Sequence, residues 1–304
     1  MADLARISRP WLFSLRQKMR TTHTIAPLYL SLAYGRRSIG TTAACSAKHT
    51  GSTHASGGLN ISFLILHTIV PPPIWKFPLS PVTSAKLAWL IIKNRAMALQ
   101  WRLGVYIGSA YEGGRVRWPR FRARKRDCVP AAKVLHAQVA EALAAGDKDT
   151  LRRVCVAETY KTLAEVIDAR APRLRTEWAL VRYDRPLLYP RIADFRVSYQ
   201  AAPGGRAADT RLVKQAVVSI SSVQRIARYF DGADGLSVPV PGSERVRHLT
   251  EHVVLQCEIK DKGDYEAGPW RYWGTMPEMS YEEIRDDTAM YNDAMARPPS
   301  SPIQ

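Results

Sequence analysis

Residues 213–230, VKQAVVSISSVQRIARYF, run eighteen positions without Gly or Pro, and their β-branched content marks the longest strand in the chain. At roughly 3.3 Å per residue such a strand reaches about 60 Å, too long for a small flat sheet, so it has to curl. Ala216, Val218 and Ile220 alternate on one face. Past Ser221 and Ser222 the large residues fall on both parities, at Val223, Ile226, Tyr229 and Phe230, and this break predicts a β-bulge in the strand. The concave face of a curled sheet must then be filled by helices, a ligand or a partner.

The charge divides the chain in two. Residues 1–126 carry 20 Lys and Arg against two acids, Asp3 and Glu112, whereas residues 127–304 carry 24 against 25. A nearly neutral domain with a strongly basic arm is expected to bind a polyanion, either nucleic acid or an anionic membrane surface. Cys45, Cys128, Cys155 and Cys257 show no metal-ligand spacing and read as reduced thiols, Cys155 and Cys257 in the core.

Residues 1–58 contain eight Lys and Arg, one acid and abundant Ser and Thr, the composition of a mitochondrial transit peptide followed by a disordered arm. Residues 59–70, LNISFLILHTIV, are strongly apolar but end at three prolines after twelve positions, and a spanning helix needs about twenty. This run could lie in a membrane interface, pack on the domain or come from a mispredicted intron. Residues 84–103 read as a helix with Leu87, Leu90, Ile91, Met97 and Trp101 near one face and Lys86, Lys93, Arg95 and Arg102 largely off it. A basic amphipathic helix suits a membrane surface, and equally a helix packed on its own domain.

The strongest nucleic-acid signal is residues 115–126, RVRWPRFRARKR. Arg115, Arg117, Arg120, Arg122, Arg124, Lys125 and Arg126 supply charge, and Trp118 and Phe121 are interleaved among them. Guanidinium groups fork onto phosphates and aromatic rings stack on unpaired bases.

From Pro130 the pattern becomes globular. Residues 131–145 form an Ala-rich helix stopped by Gly146-Asp147, and Asp147 or Asp149 caps a second helix that keeps its period to Ala169. Strands follow at 178–183, 190–200, 213–230, 246–259 and 270–276, with Pro203-Gly204-Gly205 as a turn. A short acidic helix at 282–295 and a Pro/Ser tail close the chain. Helices first and an antiparallel meander after them make an α+β domain. The expected core members are Val134, Leu135, Val139, Val154, Val218, Ile220 and Val254.

An enzyme of this architecture would need an acid or base inside the curl. Asp194, Tyr199, His248 and His252 are the available residues; Asp194 reads as facing water, and one of the histidines as buried. Glycine-rich phosphate loops, HExxH, paired Cys motifs and nucleophile elbows are absent from the sequence.

The helix ending in Ala142-Leu143-Ala144-Ala145-Gly146-Asp147, then Leu151 and Arg152 of the next helix, then a curled antiparallel sheet, resembles a known family. It is the domain shared by the matrix-side tether subunit of the inner-membrane protein translocase, mitochondrial ribosomal protein 45 of the large subunit, and the yeast inner-membrane ribosome receptor. Val70-Pro71-Pro72-Pro73 ahead of a basic helix is similar to the Val-Pro-Pro element of the ribosomal branch. The resemblance spans roughly residues 68–280. It implies a nuclear-transport-factor-2-like cone, two N-terminal helices packed on the curled sheet, preceded by a basic extension at 59–126 and followed after residue 280 by the acidic helix and tail.

It also implies a non-enzymatic role without cofactor, metal or small-molecule substrate. The site would be the matrix, peripheral on the inner membrane. The partners would be the rRNA and proteins of the mitochondrial large ribosomal subunit, near the tunnel exit, and the inner membrane surface with its insertion machinery. The basic segment 115–126 would meet rRNA and the 84–103 helix the membrane. The translocase tether is the alternative, but it would carry a longer charged coiled segment, and residues 59–126 read as lacking sustained heptads or acidic partners. A small-molecule enzyme of the same fold is the more distant reading.

Overall fold

A computed structural model describes residues 64–65, 67–112, 115–171, 173–201, 210–232, 236–260 and 265–296. The segment 1–58 read as a transit peptide and arm, the start of the apolar run at 59–63, the expected Pro203-Gly204-Gly205 turn and the Pro/Ser tail lie outside the described residues. The helices are α1 (Pro81–Gly108), α2 (Cys128–Ala145), α3 (Lys148–Val154), α4 (Ala157–Asp168) and α5 (Tyr281–Ala296). The strands are β1 (Tyr111–Glu112), β2 (Arg115–Val116), β3 (Leu174–Tyr183), β4 (Arg191–Ala201), β5 (Thr210–Asp231), β6 (Ser237–Pro239), β7 (Arg245–Lys260), β8 (Glu266–Ala267) and β9 (Arg271–Met276).

The chain forms a mixed structure of helices and a curled antiparallel half-barrel sheet. Its spine is the β5/β7 pair, in register from Leu212 opposite Ile259 to Ile226 opposite Arg245. On the other side of β5, β4 and β3 follow one another end to end, β4 against Thr210 to Ser219 and β3 against Ser222 to Phe230. β9 and β8 line the far side of β7.

The expected bulge is not in the long strand. Register shifts occur instead in its neighbours, between Leu180 and Arg182 of β3 and between Ile192 and Asp194 of β4, and again where β9 meets Val254 and Leu255 of β7. The β5/β7 register runs unbroken through Ser221 and Ser222, and the two faces of β5 are covered by different elements. On the inner face Leu212, Ala216, Val218 and Ile220 pack with Val253, Leu255, Phe195, Val197 and Tyr272 under Leu135, Val139 and Leu143 of α2, Leu151 of α3 and Leu163 of α4. On the outer face Val217 and Val254 are covered by Val70 and Leu64. Val254 is therefore core, but not of the helix-facing layer. Val134 is not core at all, at 54% exposed.

Residues 64–65 and 67–70 act as a strap across the outer face, which resolves the apolar run that the sequence left open: this part of it packs on the domain. Its backbone is held by polar side chains, with Gln215 Oε1 accepting from the Ile65 amide at 2.7 Å and Asp194 Oδ2 from the Ile69 amide at 3.2 Å. The neighbouring α1 lies along β4, and its Leu87 packs with Ile69 and with Ile284 of α5. Val105 of α1 and Phe121 belong to the main core. Among the described residues, Leu64, Ile69, Val70, Leu87, Val105 and Phe121 thus contribute to the packing of the fold from positions before 127.

α2 ends as its sequence dictates, with Gly146 in the left-handed region at φ +77. Asp147 Oδ1 then caps α3 by accepting from the Asp149 and Thr150 amides, both at 3.0 Å. The single second helix of the sequence reading is two. The chain breaks at Cys155 and Val156 because their backbone pairs with β9, the Val156 amide donating to Tyr272 O at 2.9 Å.

Candidate nucleic-acid interface

Residues 115–126 leave the end of α1 through the β1/β2 hairpin and return across its last turn. Ser109 is the fastening: its hydroxyl donates to Tyr106 O at 2.7 Å and accepts from the amides of Arg120 at 3.2 Å and Phe121 at 3.1 Å. The Arg117 amide donates to Ala110 O at 2.7 Å. Phe121 is 3% exposed and Ala123 packs beside it, so the inward positions of this extended stretch plug into the main core. Alternation then turns Arg122 and Arg124 outward.

The result is a backbone held in place beneath a cationic surface. Arg117, Arg122, Arg124 and Arg126 are exposed, Arg120 is half-buried, and Trp118 is 91% exposed. Lys125 is exposed in part, with its ammonium 5.4 Å over the Phe195 ring. Its pKa is lowered by burial first and by the Arg102 charge second. Arg115 stands opposite Glu112 in the backbone register of the hairpin. Two open depressions lie on this segment, one of about 660 Å³ lined by Val116, Arg117, Trp118, Pro119, Arg120 and Arg122 and one of about 510 Å³ lined by Arg124, Lys125, Arg126 and Asp127. Phe121, counted from sequence among the stacking residues, is unavailable to a base because it is core.

The residues assigned to a membrane-surface helix separate. α1 is longer than the 84–103 helix expected, and the face read as membrane-seeking is largely its inner face. Leu87 is fully buried and Leu90 and Ile91 pack against the same cluster. Lys86, Lys93 and Arg95 are exposed, as is Trp101. Arg102 is half-buried, donating to Ala98 O at 3.2 Å and standing 5.9 Å over Phe195. Among the described residues no helix is long and apolar enough to cross a membrane.

The four residues considered for catalysis have separate structural roles. Asp194 does not face water: it is buried and accepts from Ile69, from its neighbour Phe195 at 2.8 Å and from Arg196 Nε at 2.9 Å. Tyr199 packs at the margin of the inner core. His248 is exposed, 3.9 Å from Asp184. His252 is buried with Nδ1 2.8 Å from Ser219 Oγ, and burial drives its pKa down to about 4.

Sequence reasoning missed a polar network on the inner face. His136 Nε2 of α2 donates to Glu251 Oε2 at 2.8 Å, Gln224 Nε2 reaches the same oxygen at 2.6 Å and Ser222 Oγ at 2.9 Å, and Trp178 Nε1 donates to Gln224 Oε1 at 2.9 Å. Burial acts to raise the Glu251 pKa, but the hydrogen bonds and charge of His136 and the Gln224 amide outweigh it, and the carboxyl ends below its ordinary value. The signal was present, since Gln224 and Glu251 share parity with inner-face residues and His136 lies on the buried stripe of α2. All five side chains are buried. They tie α2 to three strands.

The thiols offer little nucleophilicity, burial pushing Cys128 to about 11 and Cys155 to about 12. Among the described residues no cluster of His, Cys, Asp or Glu is placed to hold a metal.

No protein-family model and no curated protein matches the chain. Among solved structures, the intermembrane-space region of the chloroplast protein ARC6 is similar at 14% identity over 53% of this chain and 100% of that one, with a TM-score of 0.25. A likeness at that level carries no argument about fold or function.

Proposed function

We propose that this chain is a non-enzymatic component or receptor of the mitochondrial large ribosomal subunit near the tunnel exit, linking translation to the inner membrane, on a nuclear-transport-factor-2-like cone. The observation that supports the reading is the fastened basic segment, in which Phe121 and Ser109 fix the backbone while arginines and Trp118 project from it. A pre-ordered row of guanidinium groups suits a phosphate backbone better than a loose tail does, because less side-chain and backbone freedom is lost on binding. Membrane contact would fall to Ile74, Trp75 and Leu79 ahead of α1 and to Trp101, all exposed, rather than to Leu87, Leu90 and Ile91. Peripheral attachment in the matrix follows from the same reading.

Sedimentation of mitochondrial lysate on gradients tests it. The protein should travel with large subunits at low salt. If about five cations each neutralise a phosphate, log affinity should fall against log salt with a slope of roughly −3 to −5. Reversing Arg120, Arg122, Arg124 and Arg126 to Glu should release the protein; a variant that still cosediments as the parent does would overturn the assignment.

One observation favours the matrix-side translocase tether as a second reading. Contrary to the sequence expectation, the exposed side of α1 repeats apolar residues at alternating intervals of three and four from Val82 to Tyr106. That spacing suits a helical partner. Copurification with the translocase in place of large subunits would decide for it.

A further inference from the structure

α1 is apolar on two opposite sides. Leu87, Asn94, Ala98 and Val105 are its buried face. At 100° per residue Ala96 lies about 180° from Leu87, and it is the middle of a second, outward stripe. Written as heptads, the a positions are Val82, Trp89, Ala96 and Leu103, and the d positions are Ala85, Ile92, Leu99 and Tyr106. All eight are exposed, along a helix about 42 Å long.

We infer that this outward face of α1 docks an acidic amphipathic helix of a partner protein. The flanking positions select it: the exposed Lys86 and Lys93 stand at e and the exposed Arg95 at g, while Arg102, also at g, is turned onto Phe195, and α1 contains no Asp or Glu. A second copy of α1 would bring like charges together on both flanks. The N-terminal arm is excluded on the same ground, with eight cations and one acid in residues 1–58. Ala85 and Ala96 leave holes between the large side chains of the stripe, which the knobs of a facing helix can enter and from which an acyl surface gains little. The chain already pairs α1 with such an element: α5, with Glu282, Glu283, Asp286 and Asp287, packs Ile284 on Leu87 of the inner face. The inference goes beyond the ribosomal reading and does not depend on the basic segment meeting RNA.

The test uses the full chain and a labelled 28-residue probe peptide with Leu at a and d and Glu at e and g, the length of α1. A mirror peptide carries Lys at e and g. The acidic peptide should bind at least about tenfold tighter than the mirror, and more weakly at high salt. Lys86→Glu with Lys93→Glu and Arg95→Glu should invert the preference. Leu99→Ser with Leu103→Ser should weaken binding about tenfold while the thermal melt stays near that of the parent, because both residues are outside the core. Equal binding of the two peptides, or binding abolished by the 120/122/124/126 charge reversal and untouched by the α1 variants, overturns the proposal. So does anionic phospholipid vesicle binding that needs Leu99 and Leu103 when the acidic peptide does not bind.

Discussion

Asp194 and Ile69, 125 positions apart in the chain, are joined by a hydrogen bond of 3.2 Å from the strap amide to the strand carboxylate. The same carboxylate takes Arg196 Nε at 2.9 Å, and Arg196 Nη2 donates onward to His67 O at 2.6 Å, where Asn94 Nδ2 of α1 also donates at 2.9 Å. Sheet, strap and helix therefore meet on one buried ion pair. Asp194→Ala should cost about 3–5 kcal/mol, since it leaves the Arg196 cation buried without its counter-charge. Urea unfolding measures this directly; a variant as stable as the parent would mean that the Asp194 carboxylate is not needed to hold the strap.

Two valines separate the inner core from the surface. Val218 is fully buried beneath the helices, whereas Val134 is 54% exposed on α2. Val218→Asp should cost several kcal/mol by burying an unpaired charge, and Val134→Asp no more than about 0.5 kcal/mol. Equal unfolding midpoints for the two would contradict the packing of α2 on β5.

Stability should fall in mild acid because of His252. Burial lowers its pKa from 6.5 to about 4, with Arg191 and Lys76 assisting and Glu278 and Glu251 opposing. Between those values the unfolded chain binds a proton that the native imidazole refuses, so stability rises with pH from about 4 to 6.5 and is flat on either side as far as this group is concerned. The contribution is on the order of 3 kcal/mol at most. Urea midpoints at the two ends of this window should differ more for the parent than for His252→Gln, and an undiminished difference in the variant would assign the acid sensitivity to other groups.

The order of elements was legible because its punctuation is local. Gly146 and Asp147 stop one helix and start the next, and alternation marks β4, β5 and β7. What depends on distant partners was not legible. A parity break at Ser221 and Ser222 suggests a bulge, and only the pairing with β7, which is remote in sequence and runs unbroken through both serines, shows that there is none. The helix break at Cys155 and Val156 is imposed by Tyr272, more than a hundred residues away. α1 has an apolar residue on nearly every side, so periodicity alone could not say which stripe meets the sheet. The basic segment was legible as composition, but its geometry rests on Ser109 and on a core site for Phe121.

Trp118 and Phe121 give the sharpest separation, since the same sequence pattern supplied both as stacking residues and only one of them is free. Phe121 is 3% exposed within the main core, so Phe121→Ala should leave a cavity costing about 3–5 kcal/mol. Trp118 is 91% exposed and should be removable at a cost of no more than about 0.5 kcal/mol in stability. If it stacks on an unpaired base, Trp118→Ala should nevertheless lose about 1–3 kcal/mol of affinity for a single-stranded RNA oligomer, read by fluorescence anisotropy at fixed salt. The two substitutions thus move opposite observables. RNA affinity undiminished in Trp118→Ala would reduce the segment to a charged surface without base contacts, and a Phe121→Ala protein as stable as the parent would remove the anchor that holds those arginines in a row.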